Sequence, residues 1–344
     1  MRALITGISG FAGSYLAEYL LARGDAEVAG LVRDPARPGN AAPFGARVRL
    51  LGGDLRDAAS VDRAVAAVRP DVLFHLGGQA FVPRSFEDPE GTLLDNAVGQ
   101  LHVIQAVLRH CPEARLLAVG SASVYGLVRP DENPVDEGVP LRPLDPYGVS
   151  KAAQDLLAFQ YGVSHRLQAV RVRPFNHTGP RQSDSFAPSW FARQVAAIEA
   201  GAAPAELPVG NLSGVRDFTD VRDVVRAYYL AATRGRPGEV YNIGSGRGRR
   251  LSELLDILAG LSRAPFTRRE DAARLRPLEV PLLVCDAGRL RALTGWEPEI
   301  ALEQTMADLL DYWRGQPPGA APPPPPAGRY ALAPPPWVWT YSRA

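Results

Sequence analysis

The stretch that decides the fold is Arg2-Ala3-Leu4-Ile5-Thr6-Gly7-Ile8-Ser9-Gly10-Phe11-Ala12-Gly13. Its first five residues form a short apolar run that predicts a buried strand, and an amphipathic helix over residues 14–22 follows the glycines. Glycine lets the backbone turn tightly and approach a pyrophosphate, which then lies at the N-terminus of the helix. The order of strand, glycines and helix predicts a dinucleotide site, with a purely structural turn as the alternative. The candidate cofactor-binding residues in this stretch are Gly7, Gly10, Phe11 and Gly13.

Strand-like and helical runs alternate downstream of this stretch. The alternation predicts an α/β fold with a parallel, doubly wound sheet of the Rossmann type. The predicted strands cover residues 2–6, 27–32, 47–51, 71–76, 115–119, 168–173 and 240–243. The predicted helices that follow the first one cover residues 57–68, 92–109, 147–164 and 221–233.

The chain is expected to have three parts, which are a dinucleotide-binding domain, a smaller α/β substrate domain and a tail. Their predicted bounds are 1–174 plus 217–244, then 175–216 plus 245–313, and finally 314–344. The tail is rich in proline and cannot pack a core of its own, so we expect it to be flexible. A ligand for a proline-recognition domain is the alternative interpretation of the tail.

The composition excludes several classes of function. The 344 residues carry a formal net charge of +1, so nothing predicts binding to nucleic acid or to an anionic membrane. No stretch approaches the roughly 18 apolar residues of a membrane span. Cys111 and Cys285 are too few for a disulfide framework or a cysteine metal site, and no metal is expected. Because the chain starts on its first strand, we expect no signal peptide and a cytoplasmic location.

Lysine occurs once among the 38 basic residues, as Lys151 in Tyr147-Gly148-Val149-Ser150-Lys151. Positions i and i+4 of a helix share a face, so the Tyr147 hydroxyl and the Lys151 ammonium can point into one site. An ammonium there favours the phenolate, so we expect the pKa of Tyr147 to lie below its ordinary value of about 10. Tyr147 would then give and take protons near neutrality, whereas the alternative is a chance lysine on a solvated helix face.

The end of the second strand carries Arg33, which suits the 2′-phosphate of NADP(H). A carboxylate at that end would instead hold the ribose hydroxyls of NAD(H). NADP(H) is therefore favoured, but Asp34 follows directly, so NAD(H) stays possible. Asp54 and Leu55 follow the third strand and are further candidate cofactor-binding residues, because an acidic side chain there would meet the adenine edge.

The segment Gly120-Ser121-Ala122-Ser123-Val124-Tyr125-Gly126 follows the fifth strand. Together with the glycine-rich stretch and the Tyr147/Lys151 pair, it resembles the extended short-chain dehydrogenase/reductase family over residues 1–313. The resemblance implies that Ser121, Tyr147 and Lys151 are catalytic, with Ser121 hydrogen-bonding the substrate oxygen as charge develops. It also implies that Tyr147 and Lys151 contact the cofactor, Lys151 at the nicotinamide ribose. The alternative role of Ser121 is a cap at the end of a strand.

Three further stretches resemble the enzymes of this family that act on GDP-mannose derivatives. They are Arg171-Val172-Arg173-Pro174-Phe175-Asn176-His177-Thr178-Gly179-Pro180-Arg181-Gln182, the run between Val209 and Asp223, and Arg276-Pro277-Leu278-Glu279-Val280-Pro281. Reductases that make GDP-6-deoxy-D-mannose (GDP-D-rhamnose) resemble the chain most, and their sister enzymes are dehydratases. The resemblance implies a GDP-sugar substrate held by Asn176, Arg181, Arg216, Arg276 and Glu279. Arginine would offer forked donors to the diphosphate, whereas the alternative for each arginine is a surface charge.

Ser123 occupies the position that separates the two sister activities. Related dehydratases carry a glutamate there, two residues after the catalytic serine or threonine, and serine is no comparable base for eliminating water. We therefore expect a reductase that transfers a hydride from NAD(P)H to the C4 ketone of GDP-4-dehydro-6-deoxy-D-mannose, with Ser123 among the substrate-binding residues. The alternatives are GDP-mannose 4,6-dehydratase, a 4-epimerase of another nucleotide sugar, and a non-enzymatic NADP(H) sensor.

The predicted helices over residues 92–109 and 147–164 each carry an apolar stripe. Related enzymes pair these two helices across a two-fold axis as a four-helix bundle. The resemblance therefore predicts a homodimer with an isologous interface, whereas the alternative is that both stripes are ordinary core.

Overall fold

The computed structural model of the protein describes residues 1–274 and 280–317. The predicted substrate residues Arg276 and Glu279 lie outside this part of the chain, and so does nearly all of the proline-rich tail.

The largest sheet has seven strands, and all of its strand pairs are parallel. The strands of the described chain are β1 Arg2–Thr6, β2 Glu27–Val32, β3 Val48–Gly52, β4 Val72–His75, β5 Arg115–Val119, β6 Ala169–Pro174, β7 Asn176–Thr178, β8 Glu206–Val209, β9 Val215–Asp220, β10 Val240–Ile243, β11 Gly248–Arg250, β12 Thr267–Glu270 and β13 Leu282–Leu283. The order in the large sheet is β10-β6-β5-β4-β1-β2-β3, in which the chain winds outward from β1 in both directions. This order confirms the predicted doubly wound fold of the Rossmann type.

Helices cover both faces of this sheet. The helices of the described chain, which include those of the second region, are α1 Phe11–Arg23, α2 Ala58–Val68, α3 Val82–Glu87, α4 Pro89–Leu93, α5 Gly99–His110, α6 Pro146–His165, α7 Ala187–Glu199, α8 Val221–Arg234, α9 Leu251–Leu261, α10 Gly288–Thr294 and α11 Leu302–Arg314. Strands β1, β4 and β6 are buried almost throughout, as expected for parallel strands covered on both faces. Aspartates begin several of the helices. For example, Asp57 accepts a hydrogen bond from the Ala59 N–H at the start of α2.

The helix predicted over residues 92–109 is interrupted. The structure has α4, then a π-helical turn at Leu94–Val98, and then α5. The turn contains Asn96, a fully buried amide that donates to Ser150 Oγ at 2.8 Å and to the Gln79 carbonyl at 2.9 Å. A buried amide needs these partners, and the wider turn lets its side chain reach both.

A second region contains the other strands. Strands β7, β9, β11 and β13 form a four-stranded sheet, and β8 pairs with β12. A separate core lies between α7, α9 and α11 and includes Trp190, Leu255 and Met306. Trp296, which belongs to the predicted substrate domain, packs instead into the core of the large sheet. The division into domains at the stated residues stays a prediction.

Candidate active site

Helix α6 positions the predicted tyrosine and lysine. Asp145 begins the helix by accepting a hydrogen bond from the Gly148 N–H at 2.7 Å, and Pro146 occupies the first turn. Tyr147 and Lys151 then lie on one buried face, with 8% and 6% of their surface exposed. The Lys151 ammonium lies 6.0 Å from the centre of the Tyr147 ring. The structure therefore brings this pair together at the carboxyl end of β5.

Ser121 enters the same site from the end of β5. Its hydroxyl oxygen accepts a hydrogen bond from the Ser123 N–H at 3.1 Å, which begins a short 3₁₀ turn at Ala122–Val124. The Ser121 side chain also lies close enough to Tyr147 to lower the pKa of its phenol. Lys151 donates to the carbonyl of Val119, the last residue of β5, at 3.0 Å. The structure thus joins the three predicted catalytic side chains, while their catalytic role stays a prediction.

The pKa values in this site run against the expectation for tyrosine. Burial raises the pKa of Tyr147 to about 12, the Ser121 side chain opposes this rise, and the nearby Asp145 carboxylate adds to it. Burial also lowers the pKa of Lys151 to about 8. The predicted lowering of the tyrosine pKa is therefore wrong for this site. The ammonium is directed at the Val119 carbonyl, and removal from water outweighs its attraction for a phenolate.

The glycine-rich loop has the shape that a pyrophosphate needs. Gly7 adopts a φ of 75°, and a Cβ atom at Gly13 would lie 2.1 Å from the Gly7 carbonyl oxygen, so no other residue fits there. Helix α1 begins after Gly10 without a side-chain cap and without an acidic residue in its first turn. Its first N–H groups therefore fit an anionic group of a dinucleotide. The Phe11 ring stacks on His177 with 6.0 Å between the ring centres.

Two neighbouring residues after the end of β2, an arginine and an aspartate, differ in their hydrogen bonding. In the described part of the chain, Arg33 is exposed and makes no hydrogen bond or ion pair. The Asp34 carboxylate accepts from the Arg37 guanidinium at 3.0 Å and from the Ala36 N–H at 2.9 Å. Asp34 is therefore turned back onto its own loop, which leaves the positive charge of Arg33 at the strand end.

The other predicted adenine contacts lie after β3. Asp54 accepts a hydrogen bond from the Arg56 N–H at 2.8 Å, so one of its carboxylate oxygens caps its own turn. Leu55 packs between Gly77 and Gly99. Both residues follow the strand next to β2, and their contact with a cofactor stays a prediction.

The predicted substrate residues lie on the second sheet and the loop beside it. Asn176 is exposed at the start of β7, and Arg216 lies on the neighbouring strand β9. Arg181 has a left-handed φ of 70° and turns toward α1, where its guanidinium lies 4.2 Å from the centre of the Tyr15 ring and pairs with Glu18 at 2.5 Å. Arg181 thus contacts the helix of the glycine-rich loop, and a role in substrate binding stays a prediction.

Sequence reasoning missed a buried polar network beneath this site. Its members are Tyr125, Asp155, Arg171, Arg173 and Asn242. A signal was present in the sequence, because two arginines at i and i+2 of an apolar strand point to the same face and require a buried partner.

Residues 1–274 and 280–317 lack a metal site and a membrane-spanning helix. No group of three or more histidine, cysteine, aspartate or glutamate side chains is arranged to hold a metal ion there. Within the same residues, no helix has the length and apolar character needed to cross a membrane.

Comparison with known proteins shows what the chain as a whole is similar to. The sequence profile described as GDP-mannose 4,6 dehydratase matches residues 4–309. GDP-6-deoxy-D-mannose reductase of Pseudomonas aeruginosa is 35% identical over 316 residues, which cover 92% of this chain and 98% of that protein. GDP-mannose 4,6 dehydratase 2 of Arabidopsis thaliana is 31% identical over 328 residues, which cover 90% of this chain and 86% of that protein.

Solved structures give the same relationship. RMD from Pseudomonas aeruginosa, complexed with NADPH, has a TM-score of 0.79 at 33% identity and covers 91% of this chain and 98% of its own. UDP-glucose 4-epimerase of Thermus thermophilus, in complex with NAD, has a TM-score of 0.81 at 31% identity and covers 92% of this chain and 99% of its own. The chain therefore belongs to the GDP-mannose 4,6-dehydratase family of extended short-chain dehydrogenases/reductases, which are NAD(P)-dependent enzymes that act on nucleotide sugars.

Proposed function

We propose that the protein reduces the C4 ketone of GDP-4-dehydro-6-deoxy-D-mannose to a GDP-6-deoxyhexose, GDP-D-rhamnose. The observation that carries this proposal is Ser123, which stands where related dehydratases have a glutamate base. The similarity to GDP-6-deoxy-D-mannose reductase of Pseudomonas aeruginosa over 98% of that protein supports the same activity.

The protonation state of Tyr147 fits the proton transfer that reduction requires. Reduction of a ketone ends with a proton delivered to the new alkoxide, whereas oxidation of an alcohol begins with a proton removed. A phenol with a pKa of about 12 is protonated at neutral pH and is ready to donate.

Each side chain then has one task. When bound, the reduced nicotinamide supplies the hydride. Tyr147 gives its phenolic proton to the substrate oxygen, and Ser121 orients that oxygen by a hydrogen bond. The Lys151 ammonium holds the nicotinamide ribose and stabilises the phenolate that Tyr147 becomes. Lys151 also keeps its hydrogen bond to the Val119 carbonyl, which fixes the position of the ammonium at the end of β5.

NADPH is the cofactor that we propose. The free guanidinium of Arg33 would pair with a 2′-phosphate, and Asp34 is held by Arg37 and the Ala36 N–H, so its repulsion of that phosphate is weakened. The diphosphate of the sugar nucleotide would be held by two arginines of the predicted substrate domain, Arg216 and Arg276, with Asn176 and Glu279 contacting its other polar groups.

A homodimer is the assembly that we propose. Helix α6 exposes Val149, Leu156, Phe159 and Val163, of which Leu156 is 57% and Val163 71% exposed. Residues 149, 156 and 163 are seven apart and form one stripe along the helix. Leu93 and Leu94, which precede α5, are also exposed. Pairing of these surfaces across a two-fold axis would remove them from water.

We also infer a cytoplasmic location, since both cysteines are free thiols.

The direct test supplies each candidate substrate separately. The protein with NADPH and GDP-4-dehydro-6-deoxy-D-mannose should oxidise the cofactor and give a 4-hydroxy-6-deoxy product, identified by NMR. The protein with GDP-mannose and NADP⁺ should give little or no 4-dehydro-6-deoxy product. Robust dehydration of GDP-mannose would reject the reductase in favour of the dehydratase, the second candidate, which is favoured by the 31% identity to the Arabidopsis thaliana enzyme.

A further inference from the structure

The buried network beneath the active site begins at Asp155 on α6. This carboxylate is 3% exposed and lies one helical turn after Lys151. Arg173 of β6 binds it with a fork, from Nε to Oδ2 at 2.9 Å and from Nη2 to Oδ1 at 3.1 Å. Arg171 adds a third bond to Oδ1 at 2.6 Å. These three hydrogen bonds fix the position of α6 relative to the central sheet.

The same guanidinium reaches the loop that carries Ser121. Arg173 Nη1 donates to the Tyr125 hydroxyl at 3.0 Å, and that hydroxyl donates to Asn242 Oδ1 of β10 at 2.6 Å. Tyr125 is fully buried and lies four residues after Ser121, at the end of the 3₁₀ turn. One arginine side chain thus contacts both the helix of Tyr147 and the loop of Ser121.

Stability alone does not explain these charges. Replacing a buried ion pair by apolar side chains of similar volume is often neutral or stabilising, because the charges lose their hydration. Forked hydrogen bonds, by contrast, allow only one relative placement of the groups they join. Lys151 is about 6 Å along the helix axis from Asp155 and Tyr147 about 12 Å, at 1.5 Å per residue. A shift at Asp155 would therefore pass along a rigid helix to both catalytic side chains.

We propose that Arg173 is a positioning residue that sets the separation between the Ser121 hydroxyl and the Tyr147 phenol. It does so by joining Asp155 of the catalytic helix to Tyr125 of the serine loop. The inference rests on the proposed reduction, since that reaction needs both hydroxyls on one substrate oxygen. A displacement of about 1 Å between such groups can lower a rate by about 100-fold.

The first test removes one hydroxyl. Tyr125→Phe deletes the link between Arg173 and the serine loop and leaves the ring in place. We expect kcat to fall by about 10-fold, with KM and the NADPH dissociation constant within about 2-fold of the wild type. The matched control is Tyr241→Phe on β10, because its hydroxyl is also buried and accepts one hydrogen bond, from the Arg236 N–H at 3.1 Å. An equal loss of kcat in both variants would overturn the proposal.

The second test needs no substrate. In Asp155→Asn and in Arg173→Lys, hydrogen exchange of the amides of residues 120–126 should rise by at least about 10-fold, because their anchor is weakened. Tyr241→Phe should leave this segment unchanged. Two results together would contradict the proposal. Exchange would rise only within α6 in Asp155→Asn, and residues 120–126 would keep wild-type protection in Arg173→Lys. Arg173 would then not couple α6 to the loop that carries Ser121. A wild-type protein that fails to reduce the keto sugar would reject the proposed function, while the exchange result would still decide the coupling.

Discussion

The substitution Lys151→Met should remove a pH dependence of stability that the buried ammonium imposes. Burial lowers the pKa of Lys151 from 10.5 to about 8, so the folded chain loses this proton at a lower pH than the unfolded chain. Between these two values the unfolded state binds more protons. The contribution of Lys151 to the free energy of unfolding therefore rises as the pH increases from the folded-state pKa to the unfolded-state pKa. This contribution is least favourable at pH values below the folded-state pKa.

The size of the effect follows from the two pKa values. One pKa unit corresponds to about 1.4 kcal/mol, so the whole difference is about 3 kcal/mol, and most of it falls between about pH 7 and about pH 10. Methionine is unbranched and of similar length, so it fills the space without a charge. Lys151 also lowers the pKa of His75, but burial is the larger cause and holds that pKa at about 3, so His75 stays neutral in the folded chain across this pH range. Subtracting the two stability curves therefore isolates the lysine.

Urea unfolding followed by circular dichroism, repeated across this pH range, measures the difference. The wild type should gain about 2–3 kcal/mol relative to Lys151→Met as the pH rises. Tyr147→Phe is the matched control, since burial raises the pKa of Tyr147 to about 12 and its own contribution is lost only at higher pH. Parallel curves for the wild type and Lys151→Met would refute the reasoning.

Tyr147→Phe should lower kcat at least about 100-fold, because the proton donor is lost, and leave the NADPH dissociation constant within about 2-fold in a fluorescence titration. Lys151→Arg should also lose at least about 100-fold in kcat, since a planar fork does not fit where the compact ammonium meets Val119, and near wild-type turnover would contradict this. In the wild type, kcat/KM should fall on the alkaline side with a pKa of about 8, from deprotonation of Lys151, and a flat profile to about pH 10 would count against the role of the ammonium. Arg33→Ala should lower the ratio of kcat/KM for NADPH to kcat/KM for NADH by about 10-fold, mainly through the KM for NADPH. A wild type that uses both cofactors equally would reject the role of Arg33. Leu156→Glu should give a monomer by light scattering while Leu261→Glu, at an exposed leucine of α9, keeps the dimer, and a monomeric wild type would contradict the proposed interface.

Local patterns were sufficient for the main sheet. Strands β1, β2, β5 and β10 begin and end at the predicted residues, and the other three of the large sheet differ by one residue at each end. A buried parallel strand is a short apolar run, and the glycines, prolines and charges that bound it lie in the neighbouring sequence. The interruption before α5 was not predicted, because it depends on Asn96 meeting Gln79 and Ser150, which are distant in sequence.

The sequence by itself determined the fold class, the glycine-rich loop and the spacing that places Tyr147 and Lys151 on one helical face. Each of these depends on residues that are neighbours in the chain, so backbone geometry alone relates them. The tertiary structure decided the direction in which the pKa of Tyr147 shifts, because that shift depends on how completely the surrounding elements exclude water. It also decided the partners of Arg173 and Arg181, because hydrogen bonds and charge pairs form between groups that only folding brings within about 3 Å.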